Sequence, residues 1–204
     1  MRHLELFAGI GGFRQALQLL HNDRIMNFES VGFSEVDPQA IKTYKANYHI
    51  SNDEVELGDI VEFTSVQENI ERLPNFELLT GGFPCQTFSM MGDQIGFGEE
   101  RGKMFFRLWK ILRIKRPRYV LLENVKNLVT HNKGRTYLTI KRKLEELGYH
   151  VSCGLHTACH LCHRRDQGHH GGPSEAALPA AVCGREGGYQ GCAEGTGGNL
   201  MYYI

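Results

Sequence analysis

The chain has 204 residues, enough for one domain with a full hydrophobic core, and its 41% hydrophobic and 23% charged residues fit a soluble globular protein. No apolar run reaches eighteen residues, which argues against a membrane-spanning helix; Met1-Arg2-His3-Leu4-Glu5 lacks a signal-peptide pattern, so a cytoplasmic protein with six reduced cysteines is expected. The 23 basic and 23 acidic residues cancel, which lends no support to nucleic-acid binding unless the basic surface is local or the gripping part is missing.

Strand-like and helix-like patterns alternate over residues 1–150. Leu4-Glu5-Leu6-Phe7 reads as a strand; Phe13, Ala16, Leu17 and Leu20 then fall on one helical stripe. Val31-Gly32-Phe33-Ser34 is a second strand, and Pro38 suits the first position of a helix running to about Tyr48. Glu56–Ile60 reads as a short third strand and Phe76–Thr80 as a fourth. Phe105, Leu108, Trp109 and Leu112 form a helical stripe that Pro117 stops. Tyr119–Leu122 reads as a fifth strand, apolar as parallel strands covered on both faces are. Tyr137, Ile140, Leu144 and Leu147 mark a last helix, with Gly148 as its C-terminal glycine cap. Strands separated by helices predict an α/β fold with a doubly wound, mostly parallel, Rossmann-like sheet.

Residues 153–204 differ in composition. They hold 11 of the 24 glycines, five of the ten histidines and five of the six cysteines, with few large aliphatics and no sustained period. This Gly/His/Cys-rich tail is expected to be poorly ordered. Cys159-His160-Leu161-Cys162-His163 formally matches a haem-attachment motif, and Cys159 and Cys162 with two of His156, His163, His169 and His170 could bind zinc. Irregular spacing and the absence of an export signal favour neither, and no metal is expected.

Phe7-Ala8-Gly9-Ile10-Gly11-Gly12-Phe13 is a glycine turn between strand and helix, where backbone amides can approach a cofactor. Arg14 stands where the dinucleotide fingerprint has its third glycine, which counts against a nicotinamide cofactor. Glu35 lies 26 residues after Gly9, near the spacing at which a carboxylate takes ribose hydroxyls. Asp37 reads as the N-cap of the next helix. Asp59 is either a ligand to an adenine edge or a turn residue. Gly81-Gly82-Phe83-Pro84-Cys85-Gln86 follows the fourth strand, at an end where doubly wound folds place their sites. Cys85 is there a nucleophile if amide dipoles or a cation lower its pKa, or a small buried hydrophobe if not. The loop runs on from Met90 to Gly102 with Gly92, Gly96, Gly98 and Gly102, a length suggesting a lid. Glu123 closes the apolar fifth strand, so partial burial should raise its pKa and suit it to donate a proton. If strands four and five are neighbours, Cys85 and Glu123 share one crevice.

The Phe-Ala-Gly-Ile-Gly-Gly-Phe turn, the Pro84-Cys85-Gln86 loop, Arg101-Gly102-Lys103-Met104-Phe105 and Leu122-Glu123-Asn124-Val125 together resemble the DNA (cytosine-5) methyltransferase family over about residues 3–152. The resemblance implies an S-adenosylmethionine-binding catalytic domain at 1–152, incomplete, acting on double-stranded DNA as in restriction-modification systems of a bacterial cell. Phe7, Gly9 and Gly11 would border the cofactor and Glu35 would hold its ribose. Val36 would pack on its adenine, Asp59 would meet the adenine amino group, and Met104 would line the same pocket. Cys85 would add to carbon 6 of a flipped cytosine and Glu123 would bond its ring nitrogen 3, while Pro84, Gln86, Ser89 and Asn124 would lie against DNA.

Beyond Gly148–Ser152 the likeness stops. The strand, the Gln-x-Arg-x-Arg segment, the target-recognition domain and the returning segment of the family are not found, and Gly198-Asn199 echoes the last only faintly. Two further readings follow: a truncated or frameshifted, inactive remnant, or one part of a split enzyme completed by a separately encoded C-terminal half. Weak or no S-adenosylmethionine binding is expected of the chain alone.

Overall fold

The computed structural model describes residues 1–84, 104–125, 127–157 and 198–203, the last three of 152–157 and all of 198–203 as backbone only. Among the described residues, seven strands form one sheet in the order β3-β2-β1-β4-β5-β7-β6. The strands β1 (Arg2–Leu6), β2 (Glu29–Ser34), β3 (Val55–Glu56), β4 (Leu78–Gly82) and β5 (Tyr119–Val125) are mutually parallel. Helices α1 (Gly12–Asn22), α2 (Pro38–Asn47), α3 (Ile60–Phe63), α4 (Gln67–Arg72), α5 (Met104–Lys115), α6 (Asn127–Thr130) and α7 (Arg135–Glu145) connect them. This is the expected doubly wound arrangement.

Local chemistry explains the element ends. Asp37 caps α2, its carboxylate accepting from the amides of Gln39 at 2.7 Å and Ala40 at 3.1 Å, with Pro38 as the first helical residue. Gly148 takes a left-handed φ of 85° after α7 and its amide bonds the Glu145 carbonyl, as expected of a glycine cap. The third strand is shorter than expected, ending at Glu56. Gly58 turns the chain at φ 62°, and Asp59 caps α3 by accepting from the Val61 amide at 2.7 Å, so Ile60 starts a helix rather than ending a strand.

The two faces of the sheet are buried differently. Leu4, Leu6, Leu79, Val120 and Leu122 face α5 and α7 and pack with Phe105, Leu108, Ile111, Leu112, Ile140 and Leu144. Alternation puts His3, Glu5 and Thr80 on the other face, under α1 and α2, beside a small cluster of Ala8, Phe33 and Tyr44.

Charge is also divided along the chain. Residues 1–84 hold six basic and thirteen acidic residues, whereas 104–151 hold twelve basic and three acidic.

Both ends of the tail differ from the expectation of disorder. β6 (Ser152–Thr157) and β7 (Gly198–Tyr203) pair antiparallel, and β7 also pairs antiparallel with β5, Met201 opposite Glu123. The edge of β5 offers a row of unpaired backbone groups, and a β-prone run such as Leu200-Met201-Tyr202-Tyr203 satisfies them without needing a core of its own. The lid expected over Met90–Gly102, and the motif cysteines Cys159 and Cys162, lie outside the described residues.

Candidate active site

The carboxyl ends of β2, β1, β4 and β5 stand side by side, with Leu6 level with Ser34 and with Gly81, and Gly82 level with Glu123. Ligands of open α/β sheets bind at such ends. The glycine turn follows β1. Phe7 and Gly9 both have φ of 55° and Gly11 has φ of 90°, so three of five consecutive residues are left-handed. For Phe7 that conformation is strained, and such strain gathers at ligand sites. A Cβ on Gly9 would meet nothing within 4 Å, leaving open space beside the backbone. Gly11 is needed for a different reason, since its Cβ would stand 2.3 Å from the Tyr48 ring.

Glu35 ties this turn to the next one. One carboxylate oxygen accepts from the Gly9 amide at 2.7 Å, and the other accepts from the amides of Val36 at 2.8 Å and Asp37 at 3.0 Å. Three backbone donors thus fix one carboxylate at the end of β2. Val36 beside it is 62% exposed, and Ile10 in the glycine turn is 61% exposed. Two bared aliphatic side chains flanking a fixed carboxylate suit a ligand with a flat apolar ring and hydroxyls. Ser34 Oγ donates to the Gly58 carbonyl at 2.8 Å, which ties the Gly58-Asp59 turn to the end of β2. Asp59 is thereby brought to the same edge, its carboxylate engaged as a helix cap. Met104 is half-buried at the start of α5, packed against the larger core.

On the other side of the turn, Glu123 is half-buried and burial raises its carboxyl pKa above the usual range, as expected. Its Oε2 lies over Gly82, where a Cβ would come within 2.9 Å of it. Sequence reasoning missed this need for glycine at 82; the Gly-Gly pair that ends β4 was the available signal. Asn124 takes a buried position in β5. It is 3% exposed, because alternation turns it to the side of Val120 and Leu122, and its amide donates to the Phe83 carbonyl at 2.6 Å. It holds the carbonyl of Phe83, just before Pro84. Pro84 is exposed, while Cys85, Gln86 and Ser89 lie outside the described residues.

Beneath α1 and α2 lies a buried polar cluster. Arg14, 6% exposed, donates to Tyr44 Oη at 3.0 Å, to Glu54 Oε1 at 2.5 Å and Oε2 at 3.2 Å, and to the His49 carbonyl at 2.9 Å. Tyr44 donates to Glu5 at 3.1 Å, and burial pushes the Tyr44 phenol well above its ordinary range, keeping it a donor. Burial also pushes the Glu5 carboxyl up to about 7, against the Tyr44 hydrogen bond and the Arg14 charge that pull it down. His3 shares a 2.8 Å hydrogen bond with Thr80, and burial, with the Arg14 charge, lowers its pKa to about 3. The sequence reading used Arg14 only as a missing glycine.

Among the described residues no group of three or more His, Cys, Asp or Glu could hold a metal, and no helix is long and apolar enough to cross a membrane. The turn, the fixed carboxylate and the bared aliphatics fit an adenosyl cofactor.

The model of the C-5 cytosine-specific DNA methylase family matches residues 1–166. The type II methyltransferase M.BanI of Aneurinibacillus aneurinilyticus is 47% identical over 152 residues, 74% of this chain and 33% of the relative. M1.ScrFI of Lactococcus lactis subsp. cremoris is 48% identical over 155 residues, 76% of this chain and 36% of the relative. The chain thus spans about a third of the length of these relatives. The fold resembles that of the S. pombe Dnmt2 methyltransferase, at a TM-score of 0.59 and 23% identity, over 78% of this chain and 46% of that one. With the match running from Met1 through β6, the chain belongs to the C-5 cytosine-specific DNA methylase family.

Proposed function

We propose that the chain is the cofactor-binding and nucleophile part of a DNA cytosine-5 methyltransferase, using S-adenosylmethionine on double-stranded DNA. The observation that supports this reading is the pairing of Gly82 with Glu123, which sets a half-buried carboxyl, its pKa raised by burial, beside the strand end that leads, three residues on, to Cys85. Phe7, Gly9 and Gly11 border the cofactor, Glu35 holds its ribose, Val36 packs on its adenine, and Asp59 and Met104 complete the pocket. When bound, the cofactor supplies a methyl group on a positively charged sulfur.

The chain's own groups do the rest. Cys85, as thiolate, adds to carbon 6 of a cytosine turned out of the stack, and Glu123 gives a hydrogen bond or proton to ring nitrogen 3, so that negative charge does not build up on the ring. Carbon 5 becomes nucleophilic and would take the methyl group, the methyl–sulfur bond breaking to leave a neutral thioether; loss of the carbon 5 proton to water would then expel the Cys85 sulfur and restore the ring. Asn124 fixes the Phe83 carbonyl and so the approach of the nucleophile loop. Pro84, Gln86 and Ser89 lie against the DNA backbone.

The test uses a duplex carrying 5-fluorocytosine, which has no proton on carbon 5 to lose and so leaves the covalent adduct in place. The chain, alone and joined to the C-terminal part of the M.BanI relative, is incubated with this duplex and S-adenosylmethionine. A denaturation-resistant adduct at Cys85, absent from Cys85→Ser, is expected at least for the joined protein. No adduct in either form, or one that survives Cys85→Ser, overturns the reading.

A further inference from the structure

The strained glycine turn raises the question of what holds it. Gly11 is the N-cap of α1, and its left-handed backbone carries no side chain to brace it. Tyr48 supplies the brace from outside the turn: its hydroxyl donates to the Gly11 carbonyl at 2.8 Å and its ring fills the space a Cβ on Gly11 would need. Tyr48 is itself held by Arg14, whose guanidinium stands 5.1 Å from the Tyr48 ring centre and 5.3 Å from that of Tyr44. Glu54, its side chain 2% exposed, takes both ends of the guanidinium fork, and Ser30 donates to the same carboxylate at 2.7 Å. In dinucleotide folds the third glycine lets the helix sit closely on its strand. Here the residue at that position reaches sideways instead, joining α1 to α2, to the 49–54 segment and to β2.

We propose that Arg14 and Tyr48 are positioning residues for the glycine turn, holding the Gly9–Gly11 backbone in its left-handed course from one turn of helix away. Neither touches the reacting atoms; Arg14 acts through Tyr48, and Tyr48 through the Gly11 carbonyl. The pair sets where the turn's amides and the bared Ile10 stand, and hence how tightly an adenosyl group is held. That last consequence rests on the function proposed above.

Amide hydrogen exchange of the full chain, read residue by residue, tests this without requiring a bound ligand. Tyr48→Phe keeps the ring and removes only the hydroxyl, and Arg14→Lys keeps the charge but loses the planar fork. Both should speed exchange at Gly9, Gly11 and Gly12 by roughly fivefold or more while β4 and β5 keep their protection. Unchanged exchange in the turn, or acceleration spread evenly over the sheet, overturns the proposal; the latter would make the cluster a general stabiliser. Adding S-adenosylmethionine to the protein joined to the C-terminal part of its relative gives a separate arm. Failure of the cofactor to slow exchange there counts against the proposed function alone. Protection by the cofactor that is undiminished in Tyr48→Phe counts against the positioning role.

Discussion

The two faces of the sheet are built on different principles. Toward α5 and α7 the strands present Leu4, Leu6, Leu79, Val120 and Leu122, which meet Leu108, Ile111 and Leu112 at 0% exposure. Toward α1 and α2 they present His3, Glu5 and Thr80, closed over by Arg14 and Tyr44. Apolar packing is strong but tolerant of small shifts, whereas hydrogen bonds among buried polar groups are directional and costly to leave unmade. The directional face is the one beneath the glycine turn. Position is specified where the site needs it, and the opposite face supplies stability.

Substitutions can break this contrast. The largest effect is expected for Arg14→Ala, which strands the buried Glu54 carboxylate and should cost about 3–5 kcal/mol in denaturant unfolding. Arg14→Met with Glu54→Gln should recover much of that loss while leaving the turn loose; if it recovers none, the ion pair is part of the stabilising core and the contrast fails. Leu108→Ala on the apolar face should cost roughly 3 kcal/mol through a cavity, without selective loosening of the turn.

Glu5 gives the contrast a pH signature. Its folded-state pKa of about 7 lies above the ordinary 4.5, so the folded state holds a proton that the unfolded chain has released between those values. The associated stability is present below about pH 4.5 and lost as pH rises toward 7. Glu5→Gln, which cannot titrate, should therefore gain on the natural protein by up to about 3 kcal/mol between pH 4.5 and 8, measured as the difference in unfolding free energy. A constant difference across that range would show Glu5 to be ionised throughout.

Smaller effects should follow at the site's edges. Gly11→Ala combines a left-handed φ with a clash against Tyr48 and should cost about 2 kcal/mol in thermal unfolding. Asp37→Ala removes only a helix cap and should cost about 1 kcal/mol, leaving exchange in the glycine turn unchanged.

How much was legible in the sequence follows the range of the interactions. The β1–β5 succession, the Asp37 cap and the Gly148 terminator depend on residues a few positions apart, and the sequence shows them. Glu35 at the end of β2 and Glu123 at the end of β5 follow from element order. Asp59 was open between two readings, because a capping carboxylate and a ligand carboxylate occupy the same place after a strand. The bond from Asn124 to the Phe83 carbonyl was not legible, because it depends on strand alternation turning Asn124, one residue on from Glu123, to the core side. The Arg14 cluster joins residues 30 to 40 positions apart, so it left only an anomaly in the glycine pattern. β7 was not anticipated because its pairing partners lie 41 or more residues away in sequence.

The division of charge along the chain changes what its formal neutrality means. A protein with thirteen acids against six bases in one stretch and twelve bases against three acids in another behaves, at pH 7, as a zwitterion on the scale of a domain. It should be retained by both anion- and cation-exchange resins at low salt and released by modest salt from each. Near a polyanion it should turn before it docks, so that salt dependence reports the basic stretch and not the net charge.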